Sequence, residues 1–226
     1  MSKVKIFAAI PKKQGISLQE FHDHWRHPHG TLGRRISTMR KYVQSHRVET
    51  DMLPGPFPYE EIAEVWMDSA DDAFALGSEP KYVRDAVPDE PLFIELTELR
   101  FLVTVEDVVS SGPDHHAHLS PGDAAWFDDG RAVDIKLIQL ILDEDEWASN
   151  SDAQLGLEIG AFRHVRCNPV ETPDGSVPYF RGVRELWWPT LWAFQEGTRR
   201  SPEAFATLIS RPQKAITLLA QAERFK

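Results

Sequence analysis

The stretch Phe-His-Asp-His-Trp-Arg-His-Pro-His-Gly, residues 21–30, holds the densest set of side chains suited to chemistry in this chain. Imidazole changes charge near neutral pH, so it serves as general acid, general base or metal ligand. Phe21, Trp25 and His29 recur every four residues. On a helix they share one face, with His29 about one turn beyond Trp25. A titratable ring ending an aromatic stripe needs a partner, and a backbone carbonyl meets that need as well as a ligand does. Further along, Tyr42, Gln44 and His46 alternate and so share one face of a strand, as do Glu60, Ile62, Glu64 and Trp66 on the next. If those strands pair, His29, Tyr42, His46, Glu64 and Trp66 could line one cleft between sheet and helix. A buried Glu64 beside a histidine would orient the ring and raise its basicity, as proton abstraction near neutral pH requires. Glu64 also has a counterpart in Glu185, which fits a pair of structural salt bridges in equivalent places.

The elements that would position these residues follow from pattern. Lys3 to Ile10 is a strand apolar on both faces, ended by Pro11 and Gly15. Ser17 with Glu20 three residues on is a capping box, so a helix starts there, with Leu18, Phe21 and Trp25 toward the core. Pro28 disfavours the α conformation at His27, and Gly30 then permits a turn. Leu32, Ile36 and Met39 suggest a further helical turn. Strands follow at 41–49 and 60–68, a helix from about Ala70, and a long strand at 98–109. The order β-α-β-β-α-β is that of a ferredoxin-like unit. Residues 131–226 repeat it. Lys136, Leu137 and Ile138 echo Lys5, Ile6 and Phe7, and Arg184-Glu185-Leu186-Trp187 echoes Ala63-Glu64-Val65-Trp66. The second half has no Phe/Trp/His helix series. The expected organisation is a first repeat over 1–110, a linker over 111–130 and a diverged second repeat over 131–226. Such sheets leave one face bare, and two of them would bury those faces inside a barrel within one chain.

Composition narrows the function classes. Hydrophobic residues make up 42% and charged residues 27% of 226, a folded composition. The net charge is −10 with no basic cluster to follow a phosphate backbone, which argues against nucleic acid as a partner. Cys167 is the only cysteine, so an internal disulfide is impossible and a reducing compartment is expected. The N-terminal stretch lacks a signal-peptide core or membrane span, which makes cytoplasm the expected location and a membrane an unexpected partner. His22, His24, His27 and His29 fall close together, as do His115, His116 and His118, yet neither set specifies a zinc site. Phosphate-binding and nucleophile-elbow motifs are missing, and Cys167 has no activating context, so no metal or cofactor is expected.

The strand KVKIFAAIPKK, then FHDHWRHPHG, RKYVQSH, EIAEVW and RFLVTVEDVV together resemble the EthD family over residues 3–109. One departure is Thr31, where family members often carry proline after His-Gly. The resemblance implies an α+β fold, a dimeric-type α/β barrel, with a hydrophobic pocket between helices and sheet. Relatives include cofactor-independent cyclases, decarboxylases, isomerases and oxygenases, and some in the wider superfamily bind haem; no ligand context marks His29 or His46 as axial. The expected activity is therefore cofactor-independent acid/base chemistry, of lyase or isomerase type, on a hydrophobic aromatic or polyketide-like molecule. His29 and His46 would move the proton, Tyr42 would donate to a developing enolate oxygen and Glu64 would orient a histidine. Phe21, Trp25 and Trp66 would contact the substrate. The rival expectations are a cofactor-free oxygenase of an electron-rich phenol or anthrone, and a non-catalytic binding protein. A homodimer of such barrels is compatible with all three.

Overall fold

In the computed structural model, which describes residues 3–53, 55–111, 130–143 and 147–226, β1 (Val4–Ile10) is buried along its entire length. Two layers bury it. Ile6, Ala8 and Ile10 face outward into a core shared with helices, while Phe7 and Ala9 face the inside of a barrel. The same split runs through β2 (Lys41–Arg47), β3 (Glu61–Met67), β4 (Arg100–Ser111), β5 (Val133–Ile141), β6 (Arg163–Pro169), β7 (Gly182–Trp188) and β8 (Ala215–Arg224). These eight close in the order β1-β3-β2-β8-β5-β7-β6-β4, every neighbour antiparallel. Closure removes free sheet edges.

Residues 4–111 contribute the run β4-β1-β3-β2 and residues 133–224 the run β8-β5-β7-β6. Registers match as well. Lys5 lies opposite Trp66 and Phe7 opposite Glu64, as Lys136 lies opposite Trp187 and Ile138 opposite Glu185. Nearly all of the expected linker, 111–130, lies outside the described residues. Among the described residues no helix is long and apolar enough to cross a membrane.

The helices lie outside the barrel. α1 (Leu18–His24) begins at the expected capping box: Ser17 Oγ accepts from the Glu20 amide at 3.1 Å, and Glu20 Oε2 accepts from the Ser17 amide at 2.8 Å. The helix does not stop at Pro28. It widens into a π turn over Trp25–His29 and continues as α2 (Gly30–Arg34). The wider turn relieves the clash that a proline ring makes with the carbonyl four residues back. Gly30 is helical, with φ −58°, so its purpose is not a turn. A Cβ there would sit 2.6 Å from Phe225 and 3.0 Å from Gln44 Nε2, and one at Gly33 2.8 Å from the Tyr42 ring. The two glycines let α2 settle directly on β2. Short helix α3 (Ala70–Phe74) packs on the same layer. α4 (Asp152–Glu158), α5 (Leu191–Arg200) and α6 (Pro202–Ser210) cover β5, β7 and β8.

Candidate active site

Between α1, α2 and the outer face of β1, β2 and β3 lies an inner cavity of about 60 Å³. Its walls are apolar, from Ile6, Ala8, Ile10, Trp25, Ile36 and Val65 among others, with four polar side chains, His29, Tyr42, Tyr82 and Glu90. It abuts an outer pocket of about 500 Å³ through the shared walls Ile6, Leu76, Tyr82 and Phe101. That volume suits a small organic ligand. The outer wall is supplied by the second half, from Val170 and from Val177 to Tyr179 between β6 and β7.

His29 is held by hydrogen bonding rather than by strand residues. Its Nδ1 lies 2.9 Å from Asp89 Oδ2, and His24 Nε2 lies 2.9 Å from the other oxygen of the same carboxylate. Phe93 packs on both rings, at centroid distances of 4.8 Å to His24 and 5.0 Å to His29. Burial alone would raise the Asp89 carboxyl, but the two imidazole hydrogen bonds outweigh it and hold the acid below its ordinary range. The ionised carboxylate fixes the tautomer with hydrogen on Nδ1, which leaves Nε2 basic. Next in the chain, Glu90 accepts a 2.5 Å hydrogen bond from the Tyr82 hydroxyl. Burial raises the Glu90 carboxyl, and burial together with Glu90 raises the Tyr82 phenol, which therefore keeps its proton at neutral pH. On the opposite wall the Tyr42 hydroxyl accepts from Gln44 Nε2 at 2.8 Å, and burial raises its phenol too.

Of the residues expected from sequence, His29, Tyr42 and Trp25 meet at this cavity. Phe21 lies behind the wall, packed on Phe93 at 5.8 Å between ring centroids. His46 shares the outer face of β2 but sits at its far end, with His22 and Glu61. There burial pushes its imidazole down to about 3, lowers His22 as well, and raises the Glu61 carboxyl. Glu64 and Trp66 are not in the cleft. Val43 is the residue opposite Glu64, so Glu64 projects with Val43 and Ser45 into the barrel, away from Tyr42 and His46. Instead of orienting a histidine it accepts from Ser45 Oγ at 2.6 Å and pairs with Lys5 at 2.7 Å and Lys136 at 2.6 Å. Glu185 pairs with the same lysines at 2.5 and 3.3 Å, which is the structural salt-bridge arrangement. Burial raises both carboxyls; the lysines outweigh it at Glu64, whereas at Glu185 burial and the neighbouring Glu64 charge prevail. Trp66 donates to Glu106 at 3.0 Å and lines a pocket at the barrel mouth with Lys136 and Trp187.

Sequence reasoning missed Asp89, Glu90 and Tyr82. All three come from the irregular segment before β4, where Tyr82–Ala86 forms a π turn and Glu90–Leu92 a 3₁₀ turn. The signal available was an Asp-Glu pair flanked by Pro88 and Pro91. As for a prosthetic group, His29 has one nitrogen committed to Asp89 and faces a 60 Å³ space, too small for a porphyrin, so the inner cavity does not fit haem. Among the described residues two sets of three side chains bring donor atoms close enough to share a metal ion, His22/His46/Glu61 and Glu106/Cys167/Glu185. Lysine already engages the second set, since Lys5 contacts both of its carboxylates.

Fold and site together define an α+β barrel of the dimeric α/β kind, eight strands closed on themselves with a helix-covered apolar pocket. Residues 13–97 match the model of the EthD domain. No curated protein matches the sequence. Among solved structures, the chain is similar to an anthrone oxidase-like protein, at TM-score 0.59 and 10% identity over 100% of this chain and 94% of that one. A provisionally assigned monooxygenase from Fusobacterium nucleatum aligns at 0.53 and 6% identity, over 99% and 92% of the two chains. A chlorite dismutase mutant from Candidatus Nitrospira defluvii aligns at 0.50 and 11% identity, over 99% and 92%. At such identities these likenesses speak to fold alone.

Proposed function

We propose that the protein is a cofactor-independent enzyme that moves a proton on a hydrophobic aromatic or polyketide-like molecule bound in the first-half pocket. The observation that carries this reading is the Asp89–His29 pair at the wall of an apolar cavity. His29 Nε2 removes a proton from carbon next to a carbonyl, and Asp89 stabilises the imidazolium that forms. Tyr42, whose hydroxyl accepts from Gln44 and keeps its own hydrogen to give, donates a hydrogen bond to the developing enolate oxygen. The same imidazole then returns the proton to a different atom of the substrate, which makes the net reaction an isomerisation, cyclisation or lyase step. His46 and Glu64, expected as partners in this chemistry, have no place in the proposed step.

The two halves with matching strand order and register are read as tandem ferredoxin-like repeats, over 1–110 and 131–226, the second now serving to close the barrel and wall the outer pocket. A reducing, cytoplasmic setting suits the lone, buried Cys167 thiol. A second reading, a cofactor-free oxygenase, draws on the fold shared with an anthrone oxidase-like protein and uses the same His29 to form the phenolate or enolate that reacts with oxygen.

The test is turnover of aryl β-diketones, phenols and anthrones by wild type and His29→Ala, with product mass spectrometry and an oxygen electrode. Turnover lost in the variant at unchanged circular dichroism supports the reading, and oxygen uptake selects its second form. Ligand binding without turnover of any candidate would make this a binding protein.

A further inference from the structure

His22, His46 and Glu61 form a cluster separate from the His29 cavity, with the Trp25 indole between them, its centroid 4.9 Å from that of His46. They come from three elements. His22 is on α1, His46 near the end of β2, and Glu61 at the start of β3, directly opposite His46. One nitrogen of each imidazole and one Glu61 oxygen lie within 4.8 Å of one another. Around one ion, donors about 2.0–2.2 Å out sit about 3–4 Å apart, so rotamer adjustment alone would close the shell.

The cluster is unsatisfied as it stands. Glu61 is wholly buried; its Oε1 contacts His22 and accepts from His46 Nδ1 at 3.1 Å. Glu61 Oε2 and His46 Nε2 are buried without a hydrogen-bond partner. A buried carboxylate oxygen with nothing donating to it is costly, and a bound cation would remove that cost. The nearby arginines do not fill the role, because Arg26 is held by Glu223 at 2.9 Å and Arg47 by Glu60 at 2.7 Å. Glu223 also stands 3.7 Å from His46 Nε2, placed to accept from a ligating imidazole or to approach the ion. His22, with its side chain 18% exposed against 0% for Glu61, is the side from which an ion enters.

We propose that His22, His46 and Glu61 bind one divalent first-row transition metal ion. Two imidazoles and one carboxylate converging from three elements, with further coordination positions left open, are a donor set such ions favour. The site does not depend on His29 or on the reaction assigned to it.

The experiment uses tag-free full-length protein, freed of metal by a chelator and titrated with Co²⁺, then Zn²⁺, with visible absorption and bound metal as readouts. The expected result is one equivalent bound, with Co²⁺ bands that Zn²⁺ abolishes. Binding should be unchanged in His29→Ala and in His115→Ala/His116→Ala/His118→Ala, which removes the other histidine cluster. It should weaken by more than about 100-fold in Glu61→Gln, beyond what loss of an outer-shell partner usually costs. His22→Asn, at a partly exposed position, should lose binding with its circular dichroism intact, which keeps the test decisive if the Glu61 variant fails to fold. No stoichiometric binding by wild type, equal affinity in His22→Asn, or loss of binding in the triple variant would overturn the proposal.

Discussion

The helix layer over β1–β4 and the one over β5–β8 rest on the same strand order, yet the first encloses a cavity and the second holds a buried ion network. Where Gln44 lies opposite Ala63 in the first sheet, Arg166 lies opposite Arg184 in the second. The wholly buried Arg184 donates to Gln139 at 2.6 Å, to the Leu208 carbonyl at 2.9 Å and to Asp152 at 3.0 Å. Asp152 also meets Arg166 at 3.3 Å and Arg211. One long side chain and its carboxylate thus occupy the layer that alanine leaves open in the first half. The contrast teaches that barrel closure needs both sheets, whereas the space held under each helix layer is set by the side chains beneath it.

The largest expected effect concerns the open layer. His29→Ala should lower turnover per folded molecule by about 10²- to 10⁴-fold, the usual contribution of an acid/base residue, with little loss of Tm. Asp152→Ala should do the reverse. It strands buried guanidinium groups, so unfolding free energy should fall by about 3–5 kcal/mol while turnover per folded molecule stays at the wild-type value. Denaturant unfolding and initial rates on both variants check the pair, and a common pattern in the two would erase the distinction between layers.

A pH effect probes the second layer, much as the depressed His46 would probe the first. Burial, aided by Arg184, pushes the His164 imidazole from 6.5 down to about 3. The unfolded chain therefore takes up this proton at higher pH than the native one. The stability this residue contributes is fully present above about pH 6.5 and is lost as the pH falls toward 3. His164→Leu should flatten the fall of Tm over that window, and an unchanged slope would show that His164 is not the group responsible. The smallest effect belongs to the outer pocket, where Val177 is 67% exposed and lines the wall. Val177→Ser should raise KM with kcat unchanged, the sign of binding shared equally by ground and transition states.

Much of the scaffold was legible in the sequence because it rests on local rules. Alternating apolar residues mark β1 and β5, the Ser17–Glu20 box marks α1, and the Lys5/Lys136 and Glu64/Glu185 echoes mark matching strands. Of the expected site residues, Trp25 and His29 on one helix and Tyr42 on β2 come to the cavity, each placed by a regular element. Glu64 was assigned to the wrong face because a long, proline-rich connection from Val48 to Glu60 leaves the register of β2 against β3 unspecified, and a one-residue change of register exchanges faces. Asp89 and Glu90 lie in a segment of short turns without periodicity, so nothing local ties them to a helix some sixty residues earlier. Pro28 misled because its usual effect, ending a helix, is avoided here by a π turn.

The central claim, that ligand occupies the first layer and not the second, is tested most directly by a crystal structure of the protein with a bound aromatic ligand, an anthrone or an aryl β-diketone. The account predicts ligand density between Trp25, His29 and Tyr82, extending toward Phe101 and Tyr179, with the Arg184–Asp152 network undisturbed. Density beneath α4–α6, or only at the barrel mouth beside Trp66 and Trp187, would contradict it.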